Sequence, residues 1–303
     1  MEGVFFIFTN ALLGLLVGSF LNVLILRRDT GHTIFGRSAC MSCGKTLSWY
    51  ELIPIASWVI QRRRCRSCGS LISFQYPLVE GTAFGAFAMV AAMGLPLTLH
   101  VVALLATSML IAISVYDIRH TIIPDVWAYS FAMVALLFGA LSFWPITSVY
   151  EAVLFFAAGP FIALPLWAFW FFSRGVWMGL GDAKLALGIG WLLGLPAALE
   201  ALLLSFVIGA LVSVFLLIIV PRFTVYVSTV IQGVRLSFNQ TRRTIKVVAI
   251  TRNISAGLQD SHRLVRGKWN MQSEVPFGPF LVAGCFIVWF LYGIGIATPL
   301  IFW

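Results

Sequence analysis

The chain has 303 residues, 60% of them hydrophobic and 10% charged, with a mean hydropathy of +0.97 and a net charge of +9. Too few polar groups remain to cover a soluble globule of this size, and apolar runs of about 20 residues recur from end to end, which excludes a lone signal peptide or a single anchor. The runs are long and unbroken rather than alternating ten-residue segments, so the expected fold class is all-α, a polytopic helical membrane bundle rather than a barrel.

Eight transmembrane helices are expected, near residues 4–26, 78–95, 98–116, 126–144, 151–172, 184–196, 197–220 and 277–302. The sixth is short for a full crossing and is expected to be partial or tilted, buried by its neighbours. Eight of the 20 Lys and Arg lie in residues 27–76 and nine in 221–275. If the first basic block is inside, the N-terminus is outside and residues 117–125, 173–183 and 221–276 all face the cytoplasm. The loops then left outside, near 94–97, 145–150 and 196, hold no Lys or Arg. The positive charge thus reads as topology and attraction to anionic lipid, and no nucleic-acid partner is expected. The divisions that follow are a first helix at 1–26, a cytoplasmic cysteine module at 27–76, a membrane core at 77–220, a basic cytoplasmic loop or subdomain at 221–275, and a last helix at 276–303.

Within the first basic block, Cys40-Met-Ser-Cys43 and Cys65-Arg-Ser-Cys68 are separated by 21 residues. This is the two-knuckle spacing that supplies four thiolates to one tetrahedral zinc. Gly44 and Gly69 follow the knuckles, where a tight turn favours glycine. A reducing cytosol argues against two disulfides, and four thiolates leave no open position for a catalytic water. The expected metal is therefore a structural zinc on Cys40, Cys43, Cys65 and Cys68 that staples a segment too small to fold alone. Cys285 lies in an apolar run and reads as a packed small hydrophobe. His32, His100, His120 and His262 have no ligand spacing.

Ionisable groups at or within a bilayer ask for a reason, and the candidates are Glu80, Asp117, Asp125, Glu151, Asp182 and Glu200. Glu151 and Glu200 read as wet helix ends, and Asp125, after Pro124, as a helix N-cap. Asp117 ends an apolar run, and Asp182 lies in Gly179-Leu-Gly181-Asp-Ala-Lys184; parity puts both at the cytoplasmic edge. Two carboxylates at one depth on different helices can share a proton and hold a water, one acting as base and the other as acid at a peptide carbonyl. Gly179 and Gly181 would let backbone approach an extended peptide closely. Proton-coupled transporters also use membrane carboxylates, and that alternative predicts inverted repeats with broken helices, of which the sequence shows none.

Gly18-Ser-Phe-Leu-Asn22, the two cysteine pairs, Tyr76-Pro-Leu-Val-Glu80, Tyr116-Asp-Ile-Arg119 with Ile123-Pro-Asp125, Gly179 to Lys184, and Pro276-Phe-Gly278-Pro279-Phe280 occur in the order seen in type IV prepilin peptidases. The chain resembles that family from residue 18 to 284. The resemblance implies an aspartic peptidase of the bacterial inner membrane whose two catalytic aspartates match Asp117 and Asp182. It implies as substrates the precursors of type IV pilins and type II secretion pseudopilins, with a short basic leader, a Gly before the cut and a hydrophobic helix after it. Members carrying the cysteine module usually also methylate the new N-terminus with S-adenosylmethionine; a peptidase without that second activity is the alternative. Gly179, Gly181, Lys184, Pro276, Gly278 and Pro279 are the expected supporting residues: Lys184 as an interfacial side chain or a neighbour tuning Asp182, and the Pro-Phe-Gly-Pro segment as a helix start or as backbone that pairs with substrate. The chain departs from the family at Met41, where Pro is common, and at Arg63, where Gly is common, and residues 221–275 form a longer connection than usual.

Overall fold

The computed structural model describes residues 2–28, 36–142, 148–216 and 276–296. The basic segment 221–275 lies outside the described residues. Two compact units divide the chain, Met1–Phe206 with Pro276–Trp303, and Val207–Val275. Of the second, the described part is the end of one helix.

Helices are the regular elements among the described residues of the first unit. Its elements are α1 (Glu2–Arg27), a 3-10 turn (Trp49–Leu52), α2 (Ala56–Ile60), α3 (Gln75–Ala92), α4 (Leu97–His120), α5 (Asp125–Ser142), α6 (Val149–Ser173) and α7 (Leu180–Leu193). Helix α8 (Leu195–Leu216) begins in it, and α9 (Gly278–Gly293) completes it. No strand forms among the described residues; the extended contacts are isolated bridges, Ala39 to Thr46 and Arg64 to Leu71. Five helices, α1, α4, α5, α6 and α8, are long and apolar enough to cross a membrane, and α9 is a shorter apolar helix. Helices α3 and α7 lie where two further spans are expected, but neither is both long and apolar enough to count as a crossing.

Large apolar side chains lie on the outside, among them Phe5, Leu16, Leu105, Met133, Phe161 and Leu164. In water such a surface would be untenable; against lipid tails it is the ordinary exterior of a bundle. The interior is built on small residues. A Cβ on Gly14 or Gly18 of α1 would press into the backbone of α3 at Ala83 and Glu80, the close approach that holds membrane helices together without a hydrophobic drive.

Helix α7 is roughly 21 Å long at 1.5 Å per residue, too short to span a bilayer. Its neighbours explain how it is tolerated. Gly188 abuts Phe131 and Ala132 of α5, and Gly190 abuts Ala158 and Gly159 of α6. The Trp191 indole donates to the Phe156 carbonyl at 3.1 Å. The helix starts at Leu180 rather than at residue 184, because Asp182, which interrupts the apolar pattern, is itself in the first turn. On the other side, α9 inserts Leu281, Cys285 and Trp289 into the core shared by α4, α5 and α7, and Cys285 is completely buried.

Candidate active site

Three helix ends meet where the aspartates lie. Asp117 occupies the last turn of α4, which stops when Thr121 turns left-handed (φ 53°) and donates its N–H to the Asp117 carbonyl at 2.7 Å. Asp182 sits in the first turn of α7, next to Gly179 at the helix cap. At the start of α9, the backbone N–H of Gly278 donates to the Asp117 carboxylate. The side chains of Asp117 and Asp182 are 4% and 8% exposed, and their carboxylates are near enough to feel one another's charge.

The packing between these ends is tight. A Cβ on Gly278 would stand 2.5 Å from Asp117 Oδ2 and 3.2 Å from Ile123 Cδ1, and a Cβ on Gly181 would stand 2.8 Å from Ile123 Cβ. Ile123, 7% exposed, is therefore a wedge between the beginnings of α7 and α9. The free N–H groups of a helix N-terminus, with the dipole behind them, favour a carboxylate, and two such ends converge here. The backbone N–H of Gly179 also donates to Asp182.

The other expected site residues fall around this centre as follows. Pro279 lies within the first turn of α9, where a missing N–H costs no intrahelical bond, and Pro276 precedes the helix. The segment is thus a helix start, and its available backbone donor, Gly278 N–H, goes to Asp117. Lys184 points away from Asp182. It pairs with Asp125 at 2.6 Å and lies 5.4 Å from the Tyr129 ring, as expected of residues two apart on a helix, which face different ways. Asp125 is the first residue of α5 rather than its cap; the Pro124 carbonyl accepts from Trp127 and Ala128. Glu80 is 5% exposed, with Oε2 accepting the Ile55 N–H at 2.7 Å. In the sequence Ile123 stands only as the first residue of Ile123-Pro-Asp125; its contacts with Gly181 and Gly278 on two other helices give it a packing role.

The four cysteines form a second centre. Their sulfurs all lie within 4.8 Å of one another, and Cys40 Sγ to Cys68 Sγ is 3.9 Å, against about 3.8 Å for the edge of a tetrahedron with zinc–sulfur bonds of about 2.3 Å. The knuckles repeat the same hydrogen bonds 25 positions apart. Cys40 N donates to Lys45 O and Gly44 N to Cys40 O; Cys65 N donates to Ser70 O and Gly69 N to Cys65 O, all at 2.9 Å. Gly44 and Gly69 both have φ of 70°. Backbone N–H groups of Cys43 and Ser42 pull the Cys40 thiol down to about 6, and the Ser70 hydroxyl, 3.1 Å from Cys68 Sγ, lowers that thiol too. Against the pull of the Lys45 N–H, desolvation and the neighbouring Cys40 and Cys68 push the Cys43 thiol up to about 11, so it is the tetrahedral closure of the four sulfurs that suits a soft divalent metal in a structural role.

Two family descriptions match the chain: Bacterial Peptidase A24 N-terminal domain over residues 12–94, and Type IV leader peptidase family over residues 104–214. Among curated proteins, a prepilin leader peptidase/N-methyltransferase of Myxococcus xanthus is 36% identical over 217 residues, 69% of this chain and 63% of the relative. Proteins of the same description from Aeromonas hydrophila and Bacillus subtilis are 32% and 36% identical, over 69% and 70% of this chain and 80% and 81% of theirs. The chain thus spans just under two thirds of the Myxococcus relative and about four fifths of the other two. No solved structure matches it.

Proposed function

Because the chain belongs to the type IV leader peptidase family, we propose that it removes the leader from prepilin and pseudopilin precursors with Asp117 and Asp182 as its catalytic carboxylates, and methylates the amine that cleavage exposes. The observation that carries the assignment is the meeting of these two buried aspartates, from two helices, around Ile123 and the first turn of α9. One carboxylate takes a proton from a water as it attacks the peptide carbonyl. The other, protonated at that moment, donates its proton to the carbonyl oxygen; as the tetrahedral intermediate collapses, the first carboxyl passes the proton it took from water to the leaving amine and the second takes back the hydroxyl proton. The Gly278 N–H keeps Asp117 in a fixed orientation, so that little reorganisation is needed when the charge moves.

The cysteine module carries a structural zinc on Cys40, Cys43, Cys65 and Cys68, which fixes the two knuckles and takes no part in peptide hydrolysis. When bound, S-adenosylmethionine supplies the methyl group for the second reaction. The enzyme lies in the bacterial inner membrane with its N-terminus outside and the aspartates at the cytoplasmic face, a reading supported by the distribution of Lys and Arg. The test is cleavage of a pilin precursor by protein in detergent or lipid. Asp117→Asn and Asp182→Asn are each expected to lower the rate by about 10³-fold, and full activity in either variant overturns the two-aspartate assignment.

A further inference from the structure

A cavity of about 400 Å³ lies between the cysteine module and α1, α3 and α4, within the usual range of roughly 300–1,000 Å³ for small-molecule sites. Its wall contains two carboxylates that are almost wholly buried, Glu51 at 7% exposed and Glu80 at 5%. One oxygen of each accepts a backbone N–H, from Ser48 to Glu51 Oε2 at 2.9 Å and from Ile55 to Glu80 Oε2 at 2.7 Å. A carboxylate accepts about four hydrogen bonds, so both retain capacity toward a ligand. Two aromatic residues, Trp58 and Tyr76, also line the cavity. The Trp58 indole N–H is buried without a hydrogen-bond partner, an uncommon state for a group that normally finds an acceptor. Arg119, on the wall from the end of α4, donates to Gln75 Oε1 at 2.8 Å.

These groups match one kind of molecule. Buried carboxylates beside aromatic faces suit a cation of low hydration, as in the aromatic sites that hold quaternary ammonium groups. A sulfonium ion belongs to the same class, and the molecule that carries it also has an ammonium, a carboxylate and an aromatic base. A purely basic leader peptide fits less well, since Arg27 and Arg119 share the wall with the two acids. Arg119 follows Asp117 by two positions, about 200° around the helix. The cavity and the aspartate pair therefore lie on opposite sides of the last turn of α4.

We propose that this cavity is the S-adenosylmethionine site, with Glu51 and Glu80 supplying the negative charge for its sulfonium and ammonium groups, Trp58 and Tyr76 the aromatic surface, and Arg119 the partner of its carboxylate. The assignment rests on the methyltransferase reading above and adds the residues that recognise the donor. It is tested on the full-length protein in detergent by equilibrium dialysis with labelled S-adenosylmethionine, and by photo-crosslinking of the same compound followed by peptide mapping. Crosslinks are expected in residues 48–80 and at the end of α4. Glu80→Gln, which keeps an acceptor for Ile55, and Trp58→Phe are each expected to weaken binding about tenfold or more. Crosslinks confined to other helices, or unchanged affinity in both variants while the wild type binds and methylates, overturn the site and leave the methyltransferase reading standing. A wild-type protein that cleaves prepilin but neither binds the donor nor passes its label to the product overturns both.

Discussion

Gly278 has no room for a side chain, because a Cβ would stand 2.5 Å from the Asp117 carboxylate while the residue's own N–H holds that carboxylate in place. Gly278→Ala is therefore expected to displace Asp117, and a misplacement of about 1 Å costs on the order of 10²-fold in rate. Steady-state cleavage by the purified variant measures it, and a loss in kcat with little change in KM distinguishes misalignment from lost binding. Lys184 makes the opposite case. Its partner Asp125 is 66% exposed, and an ion pair of that kind contributes about 0–1 kcal/mol, so Lys184→Gln is expected to cleave within a few-fold of wild type. Arg63 stands where the family commonly has glycine, and its φ of 62° shows why. The left-handed turn costs a non-glycine residue about 1–2 kcal/mol, offset in part by its guanidinium 5.7 Å from the Trp58 ring, a contact of roughly 0.5–1 kcal/mol. Arg63→Gly is expected to leave thermal stability within about 1 kcal/mol of wild type.

Among the elements, the cysteine module depends most on something other than apolar burial. Its described secondary structure amounts to one 3-10 turn, the five-residue α2 and the two isolated bridges, and short pieces of that kind do not hold themselves together. One zinc per chain is expected in purified protein. Chelation or acidification, which returns protons to the thiolates, should lower the unfolding temperature; an unchanged melting curve after complete metal removal would count against the staple. The knuckles were legible from sequence because two-residue spacing and glycine at the turn are local. So were the long helices, since length and hydropathy suffice to mark them. The start of α7 was not, because a charged residue in its first turn looks like a boundary when the neighbouring helices that shelter it are unseen. Ile123 and Glu51 escaped for the same reason: their roles are set by contacts with residues distant in sequence. The pair Asp117 and Asp182 was singled out by depth and motif, while its support by the amide of Gly278 needed the fold.

For the whole molecule, the orientation proposed from the placement of Lys and Arg can be measured. Reporter fusions after Gly94 are expected to be active on the outer side of the membrane, and fusions after Val176 on the cytoplasmic side; the reverse pattern overturns the topology. The last turn of α4 has one further consequence. With the aspartates on one side and the large cavity on the other, a freed amine would travel about one helix width, 10–12 Å, between its two reactions. On the proposed function, a pilin precursor would remain held in the bilayer by its own helix, so its escape would be lateral diffusion competing with that short step. The methylated fraction would then be a partition ratio, set by two competing rates rather than by the speed of methyl transfer alone. Scarcity of donor would change the product mixture before it slowed the appearance of mature pilin.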